Sequence, residues 1–350
     1  MNAKREHAIE LLAEHVVVRG HADVYEVRQR TVEGEAKPIE ESWLPRLSAA
    51  NVDFVVLAVS GDSVPHRNGD LRSCHAALDN LDCILNELEY SDRLVHVKKT
   101  SDIPDRPDGR TRFLLSLEGG SPFEGSLGIL RHFYRLGIRL LQPTHNVRNE
   151  LADGGHEERT GGGLSRFGVQ AIQECNRLGI VVDVAHLTSA GFRDVVELST
   201  KPVVVSHGNC KAIYPHKRNL DDDQIRAIAK TGGVVGMLCL PDYANEGLCR
   251  MPELIRHAAH VIELVGVDHL SIGHLGLDAP LCDVFRNIYA GPYKGYAEFT
   301  RDDLHGGVDE AEQFIAFVEG LIGLGLSDSE VVKVLSGNFR RVLAETFAER

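Results

Sequence analysis

The sequence predicts a (β/α)8 barrel of the TIM type that forms a single domain over residues 1–350. Short apolar runs rich in β-branched residues recur along the chain, and segments with helical periodicity lie between most of them. Parallel strands buried on both faces have this near-continuous apolar character. Eight such runs alternating with helices favour a closed barrel over an open sheet, and 350 residues exceed the roughly 250 that a barrel of this type needs.

The predicted strands and helices follow one another without repeats or a visible domain boundary. The eight strand runs are residues 16–19, 54–59, 113–117, 138–142, 180–184, 202–205, 233–240 and 269–273. Residues 1–14 are charged and have a helical pattern, and further helices are predicted at residues 73–89, 125–136, 164–178, 221–230, 252–264, 309–324 and 327–349. Residues 280–307 form a long irregular stretch, which is typical of a lid or of an excursion at the edge of the barrel.

Composition excludes several classes of function. The formal net charge is −13, whereas nucleic-acid binding depends on clustered Lys and Arg, so no nucleic-acid partner is expected. No apolar run is long enough for a signal peptide or a membrane span, which predicts a cytoplasmic protein without a membrane contact. Seven cysteines without Cys-x-x-Cys spacing indicate neither a disulfide framework nor a thiolate zinc site.

Polar residues follow five of the eight predicted strands, at the ends that converge on one mouth of a β/α barrel. These residues are His21 and Asp23, Glu118, His145 and Asn146, Asp183 and His186, and Ser206 and His207. Imidazole and carboxylate groups gathered in this way suit zinc or a similar divalent ion. The sequence therefore predicts a metal site for two ions, held by His21, Asp23, Glu118, His186 and His207.

Each of these residues also has a simpler interpretation when it is taken alone. His21 and Asp23 point the same way on an extended backbone, yet a His-x-Asp pair is often only a surface feature. Glu118 precedes two glycines and is either a carboxylate bridging two ions or a solvent-facing residue in a turn. Two histidines at successive strand ends, His186 and His207, are harder to explain as core residues, because burying them unpaired costs stability.

Three further residues are candidates for contacts with the substrate. His145 either hydrogen-bonds a developing oxyanion or leaving group, or only stabilises its loop. Arg218, with Asn219 beside it, offers a forked contact to a substrate carboxylate, and its alternative is a surface salt bridge with the acidic residues 221–223.

Residues 161–163 are three glycines that indicate a turn or a mobile lid, because they lack the ending of a nucleotide-binding loop. No Gly-x-Ser-x-Gly elbow supports serine hydrolysis.

Short motifs in a fixed order resemble the renal or membrane dipeptidase family of zinc peptidases from Val16 to Leu343. They are Gly-His-Ala-Asp (20–23), Leu-Glu-Gly-Gly (117–120), Leu-Gly-Ile-Arg (136–139), Thr-His-Asn (144–146), Gly-Leu-Ser-Arg-Phe-Gly (163–168), Asn-Arg-Leu-Gly (176–179), Asp-Val-Ala-His (183–186), Ser-His-Gly-Asn (206–209), His-Lys-Arg-Asn-Leu-Asp-Asp (216–222) and Gly-Asn-Phe-Arg-Arg-Val (337–342). Their order and spacing are specific, although several of the motifs are short.

The resemblance implies a binuclear zinc barrel, two Zn²⁺ per chain, that cleaves dipeptides and is a homodimer. It implies that His21 and Asp23 bind one ion, that His186 and His207 bind the other, and that Glu118 bridges them. It also implies that His145 polarises or protonates the scissile group and that Arg218 holds the C-terminal carboxylate of the substrate. A hydroxide bridging two ions is a nucleophile at neutral pH, which fits this ligand set independently.

The eighth predicted strand departs from the family pattern at the position of the catalytic base. The family has a Gly-Ser-Asp-Phe-Asp-Gly type segment there, and an ungapped alignment places Leu275 at the base. Leucine accepts no proton, so either Asp278 or His274 replaces the base, or the protein has left peptide hydrolysis. Arg19 and Ala22 also differ from the usual Asp and Asn.

The function predicted from these observations is a metal-dependent, dipeptidase-like hydrolase acting on a dipeptide or a related small amino-acid derivative. The first alternative is a family member redirected to a tautomerisation, an elimination or a specialised amide cleavage in a biosynthetic pathway. The second alternative is a non-catalytic binding protein on the same barrel.

Overall fold

A computed structural model describes residues 3–23, 27, 30–31, 33–62, 74–240, 243–246, 249–275 and 310–347. The strands within these residues are β1 (Val18–Asp23), β2 (Phe54–Gly61), β3 (Leu94–His96), β4 (Thr111–Glu118), β5 (Ile138–Gln142), β6 (Val181–Asp183), β7 (Val203–Gly208), β8 (Val235–Leu238) and β9 (Leu270–His274). Each of the eight predicted runs overlaps one of these strands. The short β3 is an addition that the apolar pattern did not indicate.

The strands pair in parallel and follow one another around the barrel in the order β1-β2-β4-β5-β6-β7-β8-β9. The additional β3 pairs with the first residues of β4, from Thr111 to Phe113, and β5 begins its pairing with β4 at Leu115. Every residue of β4 and of β7 is buried, as expected for strands that have side-chain layers inside the barrel and helices outside it. The predicted TIM-type barrel is therefore confirmed.

Helices alternate with the strands on the outside of the barrel. Their bounds are α1 (Ala3–Glu14), α2 (Leu44–Ala49), α3 (Cys74–Tyr90), α4 (Leu127–Arg135), α5 (Arg166–Leu178), α6 (Ser189–Leu198), α7 (Asp222–Lys230), α8 (Met251–Val265), α9 (Glu310–Gly323), α10 (Asp328–Val332) and α11 (Asn338–Thr346). The prediction missed α2 and α6. It also treated residues 327–349 as one helix, whereas a π-helical segment, Lys333–Gly337, joins α10 to α11.

The helix that follows the Lys217-Arg218-Asn219 loop begins where the sequence predicts it. The Asp221 carboxylate accepts a hydrogen bond from the backbone N–H of Gln224, and the Gln224 side chain accepts one from the backbone N–H of Asp221. This reciprocal pair satisfies two backbone donors that the first turn of a helix leaves open. The loop before α7 therefore has a well-defined end.

Glycines allow the first and last strands of the barrel to approach one another closely. A Cβ atom on Gly20 of β1 would lie 2.5 Å from the carbonyl oxygen of Ile272 in β9. A Cβ atom on Gly236 of β8 would lie 2.2 Å from the carbonyl oxygen of Ser206 and 2.9 Å from the Cα of Gly273. Any larger side chain at these positions would push the strands apart, so the glycines permit the barrel to close.

Two predictions from the sequence fall on residues that the structure does not describe. The irregular stretch at residues 280–307 and the candidate base Asp278 lie outside the described residues. The single-domain assignment of residues 1–350 stays a prediction. None of the helices described has both the length and the apolarity that crossing a membrane requires.

Replacing Gly236 by alanine tests the close packing of the strands. The added methyl group meets backbone atoms on two sides, so Gly236→Ala is expected to lower the free energy of unfolding by about 1–3 kcal/mol. Gly323→Ala is the matched control, because Gly323 lies in α9 and its nearest neighbour, the Lys4 Nζ, is 4.0 Å from the added atom. Urea unfolding followed by circular dichroism measures both variants, and equal stabilities would contradict the packing argument.

The buried carboxyl group of Asp53 predicts a pH dependence of stability. Burial raises the pKa of Asp53 to about 6, although a hydrogen bond from the Val17 N–H and the charge of Arg112 oppose this shift. The unfolded chain releases this proton near pH 4. The stability contributed by Asp53 is thus complete below about pH 4 and is lost as the pH rises through about 6.

Asp53→Asn keeps an acceptor oxygen for Val17 and has no ionisable group. Between pH 4 and 6, the free energy of unfolding of this variant is expected to fall less with rising pH than that of the wild type. Urea unfolding at several pH values measures the difference, with Asp105→Asn at an exposed position as the control. Parallel profiles of Asp53→Asn and wild type would show that Asp53 does not titrate in this range.

Candidate functional site

The five predicted metal ligands come together at the mouth formed by the carboxyl ends of the strands. His21 and Asp23 lie on β1, Glu118 is the last residue of β4, and His207 lies on β7, while His186 follows β6. Ligand atoms of His21, Glu118 and His207 lie within 4.8 Å of one another. Those of Glu118, His145 and His186 do so as well, and both groups contain Glu118.

The carboxylate of Glu118 is the centre of this cluster. Its Oε1 lies 3.6 Å from the Nε2 of His21, 3.4 Å from the Nε2 of His186 and 4.0 Å from the Nε2 of His207. The Oδ1 of Asp23 lies 3.6 Å from the same nitrogen of His21. Glu118 is only 3% exposed, so the solvent-facing alternative for this residue is wrong.

His186 has a backbone conformation that is rare for a residue with a side chain. Its φ angle is +70°, in the left-handed region, which costs about 1–3 kcal/mol and is frequent at functional sites. The Nδ1 of His186 lies 2.9 Å from the Oδ1 of Asn146, and an amide oxygen only accepts hydrogen bonds. This contact suits a proton on the Nδ1 of His186, a tautomer that leaves the lone pair on Nε2 for the cluster.

A buried polar network positions His207. The Ser206 hydroxyl lies 2.8 Å from the Nδ1 of His207, and the Gln142 amide donates to Ser206 Oγ at 3.1 Å and to Asp183 Oδ2 at 2.6 Å. Asp183 also accepts hydrogen bonds from the backbone N–H groups of Ala185 and Ser206. Such contacts set the orientation of a metal-binding imidazole. The sequence analysis did not assign a role to Gln142, although a polar residue ending an apolar strand was a signal.

Asp62, directly after β2, is a second positioning residue that the sequence analysis missed. Its carboxylate accepts hydrogen bonds from the backbone N–H groups of Ser121 and His145 and from the side chain of Asn149. The Asp62 N–H in turn donates to the carbonyl oxygen of Glu118. Asp62 thus links by hydrogen bonds the segments that follow β2, β4 and β5. A polar residue that follows an apolar strand was again the available signal.

Burial and neighbouring charges shift the pKa values of the four histidines in different directions. Burial, reinforced by the charge of Arg218, lowers the pKa of His186 well below its usual range, and burial does the same for His207. Burial also lowers the pKa of His145 to about 3. For His21, burial opposes protonation, but the carboxylates of Asp23 and Glu118 outweigh it and raise its pKa. Three of the four imidazoles are consequently neutral near pH 7.

The donor atoms of the cluster fit a divalent cation. The Nε2 atoms of His186 and His207 face each other at 2.9 Å, and both rings are neutral and buried. With the carboxylate of Glu118 close by, lone pairs and negative charge converge on one small space. Neutral imidazole and carboxylate are the forms that bind zinc and related ions. These residues could therefore hold a metal.

The predicted substrate-binding residues lie on two loops beside the cluster. The ring centroids of His145 and His186 are 4.4 Å apart. Arg218 donates a hydrogen bond from Nη2 to the carbonyl oxygen of His207, at 3.2 Å, which places its guanidinium group next to a predicted ligand. Asn219 is buried, and its amide donates to the carbonyl oxygens of Tyr214 and Tyr243, so it also holds the loop.

The acidic residues that were the alternative partners of Arg218 have other contacts. Asp221 caps α7, Asp222 accepts a hydrogen bond from His260, and Asp223 pairs with Arg226. The position of Arg218 beside the cluster therefore supports the interpretation as a substrate-binding residue. That interpretation stays a prediction.

The end of β9 contains one of the two candidate replacement bases. His274 is the last residue of this strand, is buried, and has its ring centroid 6.1 Å from that of His21. Leu275 follows it and is fully buried. The structure thus places an imidazole and a leucine where the motif comparison expected a carboxylate.

The chain matches known proteins over most of its length. The sequence profile of the family described as membrane dipeptidase (peptidase family M19) matches residues 5–277. Dipeptidase aclJ of Aspergillus oryzae is 29% identical over 263 residues, which are 73% of this chain and 57% of that protein. Dipeptidase verJ of Clonostachys rogersoniana is 28% identical over 274 residues, 77% of this chain and 65% of that protein. The match thus spans less than two thirds of either relative.

The fold has a close counterpart among solved structures. The metallopeptidase of Rhodobacter sphaeroides, solved with a phosphinate mimic of the dipeptide L-Ala-D-Ala, superposes with a TM-score of 0.78 at 22% identity. The superposition covers 95% of this chain and 100% of that one, which confirms the barrel. Together with the profile match over residues 5–277, these findings show that the chain belongs to the membrane dipeptidase family, peptidase family M19.

Proposed function

We propose that this protein is a metal-dependent hydrolase that cleaves the amide bond of a dipeptide or of a related small amino-acid derivative. The observation that carries this proposal is the buried cluster around Glu118, in a chain of the M19 family. Three imidazole nitrogens lie within 4.0 Å of one carboxylate oxygen, at the mouth where β/α barrels have their active sites.

The same cluster supports the proposed assignment of ligands. His21 and Asp23 would hold one ion, His186 and His207 the other, and Glu118 both. Two Zn²⁺ per chain are proposed, because neutral imidazole and carboxylate are the ligands that zinc prefers. Bound in this way, the ions would supply a water of lowered pKa and polarise the amide carbonyl.

The side chains around the cluster would bind and orient the substrate. His145 is neutral, because burial lowers its pKa to about 3, and a neutral imidazole can donate a hydrogen bond to a carbonyl oxygen without adding charge. The Arg218 guanidinium would hold the C-terminal carboxylate through its forked N–H groups. The small-molecule substrate would thus be held at two points, at the carbonyl oxygen of its scissile amide and at its C-terminal carboxylate. The homodimer and the cytoplasmic location stay predictions.

Proton transfer to the leaving amine is the step for which the chain departs from its family pattern. Leu275 is buried and accepts no proton. His274 is the described residue nearest this role, because its ring lies beside that of His21. Asp278 is the other proposed base. If neither acts, the retained metals would serve a redirected reaction such as a tautomerisation or an elimination, and buried Leu275 is the observation that favours this second function.

Metal content tests the ligand assignment. Elemental analysis of the purified protein is expected to find about two divalent ions per chain, and Glu118→Gln is expected to lower this number, because the variant removes the carboxylate shared by the two ions. His132→Gln, at an exposed position of α4, is the control and is expected to keep the wild-type content. A folded wild-type protein without bound metal would contradict the site.

A panel of L,L and L,D dipeptides tests the reaction and its base. If His274 or Asp278 transfers the proton, His274→Asn or Asp278→Asn is expected to lower kcat by about 100-fold or more at unchanged metal content. Asp105→Asn, at an exposed position, is the control. Metal-loaded wild-type protein that turns over no dipeptide would reject the dipeptidase and favour the redirected reaction.

A further inference from the structure

A pocket lies beside the cluster of predicted metal ligands and shares His186 with it. His186, Asn146 and Arg218 are among the residues that line it. The remaining walls come from the loop before α7 and from the chain around the start of α6. A substrate held by Arg218 with its amide at the cluster therefore has this pocket beside its C-terminal residue.

Positive charge dominates the lining of the pocket, although the protein carries a net charge of −13. Lys211, Lys217 and Arg218 all contribute to the lining, against one carboxylate, Glu158. That carboxylate accepts a hydrogen bond from the backbone N–H of Ser189 at 2.9 Å. Neither lysine forms an ion pair with a carboxylate in the described part of the chain. The pocket thus has two ammonium groups available for an anionic ligand.

The loop that carries the two lysines is held at several points. The backbone N–H of Lys211 donates to the carbonyl oxygen of Leu220 at 2.7 Å. The preceding N–H, of Cys210, donates to the Nδ1 of buried His257 at 3.0 Å. Asn219, at the other end of the loop, makes the two hydrogen bonds described above. These contacts fix the backbone from which the lysines reach the pocket, and preorganisation of this kind favours binding.

The pocket also has an apolar wall. Val184, Leu187 and Phe192 line the side formed by the chain from β6 to α6. Methylene groups would pack against these side chains while a charged end reaches the lysines. A short acidic side chain combines both properties.

On the basis of the proposed function, we infer that this pocket selects dipeptides whose C-terminal residue carries a second acidic group, as aspartate and glutamate do. Arg218 would take the main-chain carboxylate through its planar fork, whereas Lys211 and Lys217 would attract the side-chain carboxylate as point charges. An uncharged amide of the same shape would leave both ammonium groups without a counter-charge. The pocket is then a determinant of specificity for the same reaction.

Matched substrates test this inference. Alanyl-glutamate and alanyl-glutamine, each with an L and a D second residue, differ only in the charge of the side chain. The wild type is expected to show a kcat/KM at least tenfold higher for the glutamate substrate of the preferred configuration. The double variant Lys211→Gln/Lys217→Gln is expected to bring this ratio to within about threefold of one, mainly through KM. Lys230→Gln, at an exposed position of α7, is the matched control and keeps the wild-type ratio.

Binding of free amino acids separates the failure of the inference from the failure of the proposed function. Isothermal titration of the metal-loaded protein with glutamate and with glutamine, in both configurations, needs no turnover. A Kd at least tenfold lower for glutamate, with the difference lost in the double variant, supports selection of an acidic side chain by the pocket even if no dipeptide is cleaved. Equal Kd values in the wild type overturn it whether or not the protein is a dipeptidase. Where the dipeptides are cleaved, equal kcat/KM for the two substrates overturns it as well.

Discussion

The buried carboxylate of Glu118 is the constraint on which the site depends. A carboxylate that is 3% exposed is costly unless positive charge compensates it, and the neutral imidazoles of His186 and His207 provide none. The carboxylates of Asp23 and Glu118 raise the pKa of His21, and a cation bound in place of that proton would compensate the charge. The barrel makes this arrangement possible because it brings residues from β1, β4 and β7 and from the loop after β6 to one point.

Hydrogen bonds from the surrounding framework hold the strained and buried groups at the mouth in place. The left-handed conformation of His186 is held by the hydrogen bond from the Gly155 N–H to its carbonyl oxygen, at 2.6 Å, and by the contact of its ring with Asn146. Asp183 and Gln142 hold Ser206 and, through it, the ring of His207. These residues would act on the reaction by orienting the predicted ligands, since a rigid outer layer limits how far an imidazole can turn.

The sequence predicted the barrel and proposed candidate ligands for the site, because both follow from local patterns. Apolar runs mark strands buried on two faces, and the polar residues that follow five of these runs lie at the mouth. The hydrogen bonds of Asp62 and Gln142 join residues 40 to 90 positions apart, so no local pattern reveals them. The six-residue α2 and the three-residue β3 were missed, because such short elements do not show periodicity. The ten-residue α6 was also missed. The positively charged pocket likewise depends on which loops meet.

Two departures from the family pattern change the charge of a side chain, at Arg19 and at Leu275. Their physical consequences differ. Arg19 is buried, and it donates to the carbonyl oxygen of His21 and to the carboxylate of Glu310 in α9, so the framework neutralises its charge and uses it to support β1. Leu275 is buried without a polar atom in its side chain, and no rearrangement of its neighbours gives it an acidic proton or a basic lone pair. The scaffold therefore accommodates Arg19. Leu275 instead alters the chemistry available at the mouth. Divergence from the family would therefore change the reaction while the fold stays the same.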